Sequence, residues 1–402
     1  MLESIDTVRS VSIGVWIHAG SINEHYNNNG ISHFIEHMFF KGTEKRNARE
    51  IAQAFDKIGG QINAFTSKEC TCYYAKVMDT HAKTALEILA DMFFNSQFDS
   101  EEMEKEKNVV LEEIKMYEDS PDDLVHDLLA QAVYGKHSLG YPILGREETL
   151  NAFTSEDLKQ YVKKMYRPEE VVISVAGNVG EDFLKEIEMR FGDFESPDER
   201  EEKTSLPIFL PNKNVRIKDT EQAHLCLGFH GIPLDHPDMY GLITLNNVLG
   251  GTMSSRLFQD VREDKGLAYA IYSYHTAYEN TGTVTIYGGT AVHQLDALYV
   301  TIIQTLDRLK RDGITDEELQ NTKEQLKGSL MLSYESTNSR MSRNGKNELF
   351  LRKHMTLDEI VQKIDQVDQQ MVNQMIEHVF DAPHALSLIS SEGKLPHEIE
   401  HL

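Results

Sequence analysis

Residues 11–43, VSIGVWIHAGSINEHYNNNGISHFIEHMFFKGT, and residues 223–252, AHLCLGFHGIPLDHPDMYGLITLNNVLGGT, follow one plan. Each opens on an apolar run that reads as a buried strand, residues 11–16 and 223–229. A loop rich in Gly and Asn, or in Gly, Pro and Asp, then leads to a helical pattern, residues 32–40 and 238–249. Both helices stop on small residues, at Lys41-Gly42-Thr43 and at Gly250-Gly251-Thr252. Two copies of one plan predict an internal duplication of about 200 residues per half.

Outward from these stretches the echo continues. In the first half, a second helix at 48–58 ends at Gly59-Gly60, and strands follow at 61–66 and 71–77. Helical patterns run from His81, break at 95–100, and resume as a long helix over 101–118. A strand at 171–176 and a helix at 181–191 complete the half. The second half offers strands at 268–275 and 282–287 and helices at 292–310 and 316–335. Between them lies a charged, turn-rich run, Ser196-Pro-Asp-Glu-Arg-Glu-Glu-Lys, followed by Pro207 and Pro211. The expected fold is α+β: two homologous α/β-sandwich halves, each with helices against an antiparallel-rich sheet. The expected division is 1–196, a linker at 197–213, and 214–402.

Composition narrows the function. With 40 Lys+Arg against 65 Asp+Glu, the net charge of −25 repels phosphate backbones, so neither nucleic acid nor an anionic membrane is an expected partner. No apolar run approaches the ~18–20 residues of a membrane span. Three cysteines, Cys70, Cys72 and Cys226, make no disulfide framework, and with no hydrophobic leader the expected compartment is the cytoplasm.

The chemistry sits in one copy. His33-Phe34-Ile35-Glu36-His37 places two imidazoles at i and i+4, with the carboxylate between them on the same face. Two neutral imidazoles so spaced can hold one Zn²⁺, with Glu36 in reach of a water. The matching helix of the second half has Leu242, Leu245 and Asn246 at these places. A third donor is needed. On the helix at 101–118, Glu113 shares the inward face of Val110, Ile114 and Tyr117, whereas Glu112 points elsewhere, beside Asn108 and Lys115. A carboxylate facing inward is costly unless paired or metal-bound. Glu113 is therefore the expected third ligand, and Glu106, on the same face, the group that orients a ligand histidine.

These residues, with Met38, Phe39, Lys41-Gly42-Thr43, Asn63-Ala64-Phe65-Thr66 and Tyr73-Tyr74-Ala75-Lys76, resemble the inverted-motif (HxxEH) zinc metallopeptidases of the pitrilysin/insulysin superfamily. The resemblance is strongest to the branch holding the mitochondrial processing peptidase and its bacterial relatives. It extends to Gly250-Gly251-Thr252-Met253-Ser254-Ser255-Arg256-Leu257-Phe258, Arg262 and Gly266-Leu267-Ala268-Tyr269, nearly the whole chain. It implies one zinc ion, or another divalent metal, held by His33, His37 and Glu113, with Glu36 as general base and then proton donor. It implies that Asn63, Ala64 and Phe65 form an edge strand that pairs with an extended peptide. It further implies that Arg262 holds a substrate carbonyl or carboxylate while Tyr269 stabilises the oxyanion. In such chains that pair comes from the opposite subunit, so a homodimeric clamshell with sites completed in trans is expected. The implied activity is endopeptidase action on short or unfolded peptides, basic ones being favoured if the −25 charge lines the chamber. The alternatives are a peptidase subunit active only with a different partner chain and a catalytically idle scaffold. The resemblance also implies a strand ahead of residues 11–16, for which Met1–Arg9 is the stretch available.

Overall fold

The computed structural model describes residues 1–195 and 205–397, and the charged run 196–203 read as linker lies outside them. The first half runs β1 (Leu2–Ser4), β2 (Ser10–Ile17), α1 (Ile31–Met38), α2 (Ala48–Lys57), β3 (Gln61–Thr66), β4 (Thr71–Met78), α3 (Ala82–Asn95), α4 (Ser100–Glu118), α5 (Pro121–Tyr134), α6 (Glu147–Ala152), α7 (Ser155–Met165), β5 (Val171–Gly177) and α8 (Phe183–Phe191). The second runs β6 (Lys213–Ile217), β7 (Gln222–His230), α9 (Met239–Asn246), β8 (Ala268–Ala277), β9 (Gly282–Ala291), α10 (Leu295–Asp312), α11 (Asp316–Ser333), α12 (Thr337–Lys346), α13 (Leu357–Asp365), α14 (Gln369–Phe380) and β10 (Ala385–Ser390).

The duplication is visible in the sheets. Their orders, β1-β5-β2-β4-β3 and β6-β10-β7-β9-β8, place corresponding strands at corresponding positions. In each, four strands are antiparallel and the short edge strand, β1 or β6, pairs parallel to its neighbour. Met1–Arg9 thus does supply a strand ahead of β2. One face of the first sheet buries Val11, Ile13, Val15, Tyr73, Ala75 and Val77 against α1 and α3. The second sheet buries Leu225, Leu227, Val284, Ile286 and Leu388 against α9, α10 and α14. The helix expected over 238–249 stays α-helical only to Asn246, then widens into a π-turn at Asn247–Gly251. There the backbone of Gly250 lies so close to Ser273 that a Cβ would sit 2.5 Å from Ser273 N.

Two compact units divide the chain, and neither is continuous. One comprises Met1–Lys115, the described part of Tyr141–Thr204, and Leu330–His354; the other comprises Met116–Gly140, Ser205–Ser329 and the described part of Met355–Leu402. Within the first, α12 covers the sheet face opposite α1. Ser174 Oγ donates to Met341 O (2.8 Å), and Trp16 Nε1 donates to Met341 Sδ (3.3 Å). Within the second, α5 plays the same part. Ser387 Oγ donates to Val125 O (2.7 Å), and Gly228 leaves room for Leu129. A central-strand glycine and a neighbouring serine seat the helix in both.

The seat on the first sheet is tight. A Cβ at Gly345 would sit 2.6 Å from Trp16 Cδ1 and Cε2, on a fully buried rigid ring. Gly345→Ala gains about 1 kcal/mol of helix propensity but overpacks at a cost of about 1–3 kcal/mol. Net destabilisation is expected, read as a lower urea midpoint at unchanged slope.

Candidate active site

Helix α1 is short and two-faced. Ile31, Phe34, Ile35 and Met38 are buried in the core, which holds the helix down and presents His33, Glu36 and His37 on its other side. The two rings lie 4.6 Å apart between centroids. From α4, Glu113 Oε2 stands 3.8 Å from His33 Nε2 and 3.5 Å from His37 Nε2. Among the described residues, His33, His37 and Glu113 are the group of metal-ligand type whose donor atoms all fall within 4.8 Å of one another. Cys70 and Cys72 are free, buried thiols outside that group. Glu112 faces away and pairs with Lys115 at the surface.

Glu106, one helical stretch before Glu113 on α4, is 5% exposed. His37 Nδ1 donates to its Oε1 (2.8 Å), and Lys41 Nζ lies 2.5 Å from its Oε2. A buried carboxylate receiving Nδ1–H fixes the His37 tautomer and turns the Nε2 lone pair toward Glu113 and His33. Burial alone would raise the Glu106 carboxyl, but the bonds from His37 and Lys41 outweigh it and hold it below its ordinary range.

The other ionisations follow from position. Burial, and secondarily the His37 charge, drives the His33 imidazole down to about 3, so the ring is neutral at physiological pH. At His37 burial opposes protonation, yet the Glu106 bond and the charges of Glu113, Glu106 and Glu36 raise it. The field that favours a proton there favours a divalent cation more strongly. Burial raises Glu36 above the usual carboxylate range, partly offset by Thr66, whose Oγ1 donates to Glu36 Oε2 (2.5 Å).

The residues fit zinc. Two imidazole nitrogens and one carboxylate oxygen are a zinc-type set that leaves a position open. His33 Nδ1 is buried without a partner among the described residues, so the ring's polar interaction is left to Nε2, the atom facing Glu113.

Asn63, Ala64 and Phe65 lie on β3, the edge strand of its sheet, paired through its length to β4 alone. The Ala64 N–H donates to Asn63 Oδ1 (2.8 Å). Thr66, the last residue of the strand, links this edge to Glu36. Thr66 and Lys41 touch the candidate site although the sequence marked them only as parts of matching motifs, without a role. Lys41 falls four residues after His37, within reach of the same carboxylate, but only the fold reveals that Thr66 touches Glu36.

In the other compact unit, Arg262 sits in a π-helical turn, Phe258–Glu263, and Tyr269 on β8. The Arg262 guanidinium lies 4.4 Å from the Tyr269 ring centroid and 4.7 Å from that of Phe258, and its Nη1 donates to Tyr269 O (3.2 Å). Tyr269 is 78% exposed. Stacking thus holds the two together with the phenol turned to solvent.

Comparison with known proteins agrees with this geometry. Residues 1–147 match the family described as insulinase (peptidase family M16), and residues 152–326 match the peptidase M16 inactive domain. An uncharacterized zinc protease of Bacillus subtilis, YmxG, is 62% identical over 98% of this chain and 97% of its own. Another, from Streptomyces coelicolor, is 37% identical over 96% of this chain and 86% of its own. The crystal structure of a protease from Helicobacter pylori superposes with a TM-score of 0.91 at 22% identity, covering 97% of this chain and 96% of that one, a likeness of fold.

Proposed function

The chain belongs to peptidase family M16, the insulinase family, and from that premise we propose that it is a zinc-dependent endopeptidase acting on short or unfolded peptides. The observation that carries the reading is the convergence of His33, His37 and Glu113 beside the partly buried carboxylate of Glu36. His33 and His37, through Nε2, and Glu113, through its carboxylate, are the residues that would hold the ion, one per chain. Zinc, when bound, acts as a Lewis acid that makes water acidic near neutral pH and polarises a carbonyl. Glu36 takes the proton from water and later delivers it to the leaving amine nitrogen, a task suited to a carboxylate whose proton affinity burial has raised. Thr66 holds one Glu36 oxygen and leaves the other for the proton.

The peptide itself is held by β3. Its free edge offers main-chain groups to an extended strand, which binds backbone rather than particular side chains. Asn63 Oδ1 must release the Ala64 N–H if that group is to meet the substrate. Arg262 holds a substrate carbonyl or carboxylate, and the Tyr269 hydroxyl donates to the developing oxyanion. The presence of the metal set and the Arg262/Tyr269 pair in one chain favours a homodimer whose sites are completed in trans over a pairing of active and inactive chains. In this division of labour residues 1–196 bear the metal and 214–402 the Arg/Tyr pair, joined through 197–213. The net charge of −25 favours basic peptides where it lines the chamber, the three free cysteines suit a cytoplasmic setting, and no described helix is long and apolar enough to cross a membrane.

The test uses the purified chain without additions, sized by light scattering and then incubated with an unstructured peptide containing Arg and Lys. A two-chain mass and internal cleavage, read by mass spectrometry, are expected. A monomer that cleaves would remove the trans-completed site. Absence of cleavage by zinc-loaded protein would favour an obligatory partner chain or an idle scaffold.

A further inference from the structure

Helix α1 has no side-chain cap of its own, because its N-cap is Gly30, at φ +96°. Its unpaired N–H groups are met from outside by Glu24, which is 2% exposed. Glu24 Oε2 accepts from Gly30 N (2.7 Å) and Asn29 Nδ2 (2.8 Å), and Oε1 accepts from Ser32 N (2.9 Å). Among the described residues no cation pairs with this carboxylate, so hydrogen bonds and the helix N-terminus are what compensate it. The approach to the helix is equally constrained. Asn29 Nδ2 also donates to Pro142 O (2.8 Å), and Thr149 Oγ1 donates to Asn29 O (2.7 Å). A Cβ at Gly30 would sit 2.6 Å from Gly145 Cα, so only glycine fits there.

The first turn of α1 is itself buried, with Ser32 at 1% exposure, so water does not reach the N–H groups of Gly30 and Ser32 and a partner from outside the helix must. What the first turn carries is His33, the next residue after Ser32. We propose that Glu24 is a positioning residue of the metal centre: its carboxylate locks the first turn of α1 and thereby sets the His33 imidazole against His37 and Glu113. This rests on the zinc-peptidase reading above. Glu24 itself touches neither ion nor substrate.

The isosteric change E24Q replaces one acceptor oxygen by an NH2 that faces other donors, either Gly30 N–H and Asn29 NH2 or Ser32 N–H. At least one backbone N–H, of Gly30 or of Ser32, then loses its partner and the first turn must shift. Zinc affinity is measured by competition with a chromophoric chelator, and thermal midpoints of the metal-free proteins are recorded alongside. The control is T356A, which removes the side-chain cap of α13, Thr356 Oγ1 accepting from Glu359 N (3.2 Å), in the compact unit that does not hold α1. The expected result is zinc affinity about 10-fold or more weaker in E24Q, as for loss of an outer partner of a metal ligand, while T356A keeps wild-type affinity despite a lowered midpoint. Affinity within twofold of wild type in folded E24Q, or equal weakening in T356A, would overturn the proposal. Should E24Q fail to fold, E24D carries the same test: it keeps the charge but retracts both oxygens, and wild-type affinity in it would overturn the proposal too. Failure of the wild-type chain to take up zinc would sink the underlying peptidase reading together with this inference, and is distinguishable because it shows before any variant is made.

Discussion

Glu36→Gln is expected to lower the rate of peptide cleavage by about 10²–10⁴-fold while leaving zinc uptake intact. The amide has the volume of the carboxylate and can still accept the Thr66 hydroxyl bond that now orients Glu36. What it cannot do is take a proton from water near neutral pH. The loss should therefore fall on kcat, with bound zinc unchanged by metal analysis. A variant that cleaves at the wild-type rate would remove Glu36 from its role and leave the site without a base. A variant that loses zinc as well would make Glu36 part of the metal's binding rather than of proton transfer.

Substitution of Glu113 by Gln should weaken zinc binding by more than the roughly 10–100-fold that losing an outer partner costs, whereas Glu112→Gln should do nothing measurable. The two residues are neighbours in sequence with the same side chain, so chemistry alone does not separate them. Position does: Glu113 Oε2 is within 3.8 Å of both ligand-type imidazole nitrogens, and Glu112 pairs with Lys115 in solvent, where such pairs contribute little. Competition with a chromophoric chelator reads both variants. Equal effects, or a larger effect from Glu112, would contradict the arrangement.

The metal helix was legible because its signal is local. Two histidines and a glutamate at i, i+3 and i+4 must share a face, and the alternating stretch at 61–66 bounded by Gly59-Gly60 gave the edge strand its limits. The choice of Glu113 over Glu112 came from the same periodicity. What sequence could not show is the exchange of helices between compact units. The stretch 337–346, Thr-Asn-Ser-Arg-Met-Ser-Arg-Asn-Gly-Lys, has no apolar stripe, and its buried face is Thr337, Met341 and Gly345. It packs because Gly14 and Gly345 let backbone and ring approach, a fit that hydropathy does not record. Helix α5 does carry an apolar stripe and starts at Ser120-Pro121, but nothing in it tells which sheet it covers. The role of Glu24 was hidden for a related reason: the helix it caps begins seven residues later, at Ile31, beyond the spacing of any local capping pattern.

The most direct test of the account is dependence of cleavage on zinc in one preparation. Metal analysis of the purified chain should find about one zinc per chain, as three protein donors with one open position require. Stripping the metal with a chelator should abolish cleavage of an unstructured peptide, and adding back zinc should restore it in proportion to the sites filled. Cleavage that persists undiminished in metal-free protein would contradict the central claim that His33, His37 and Glu113 hold the ion the reaction needs.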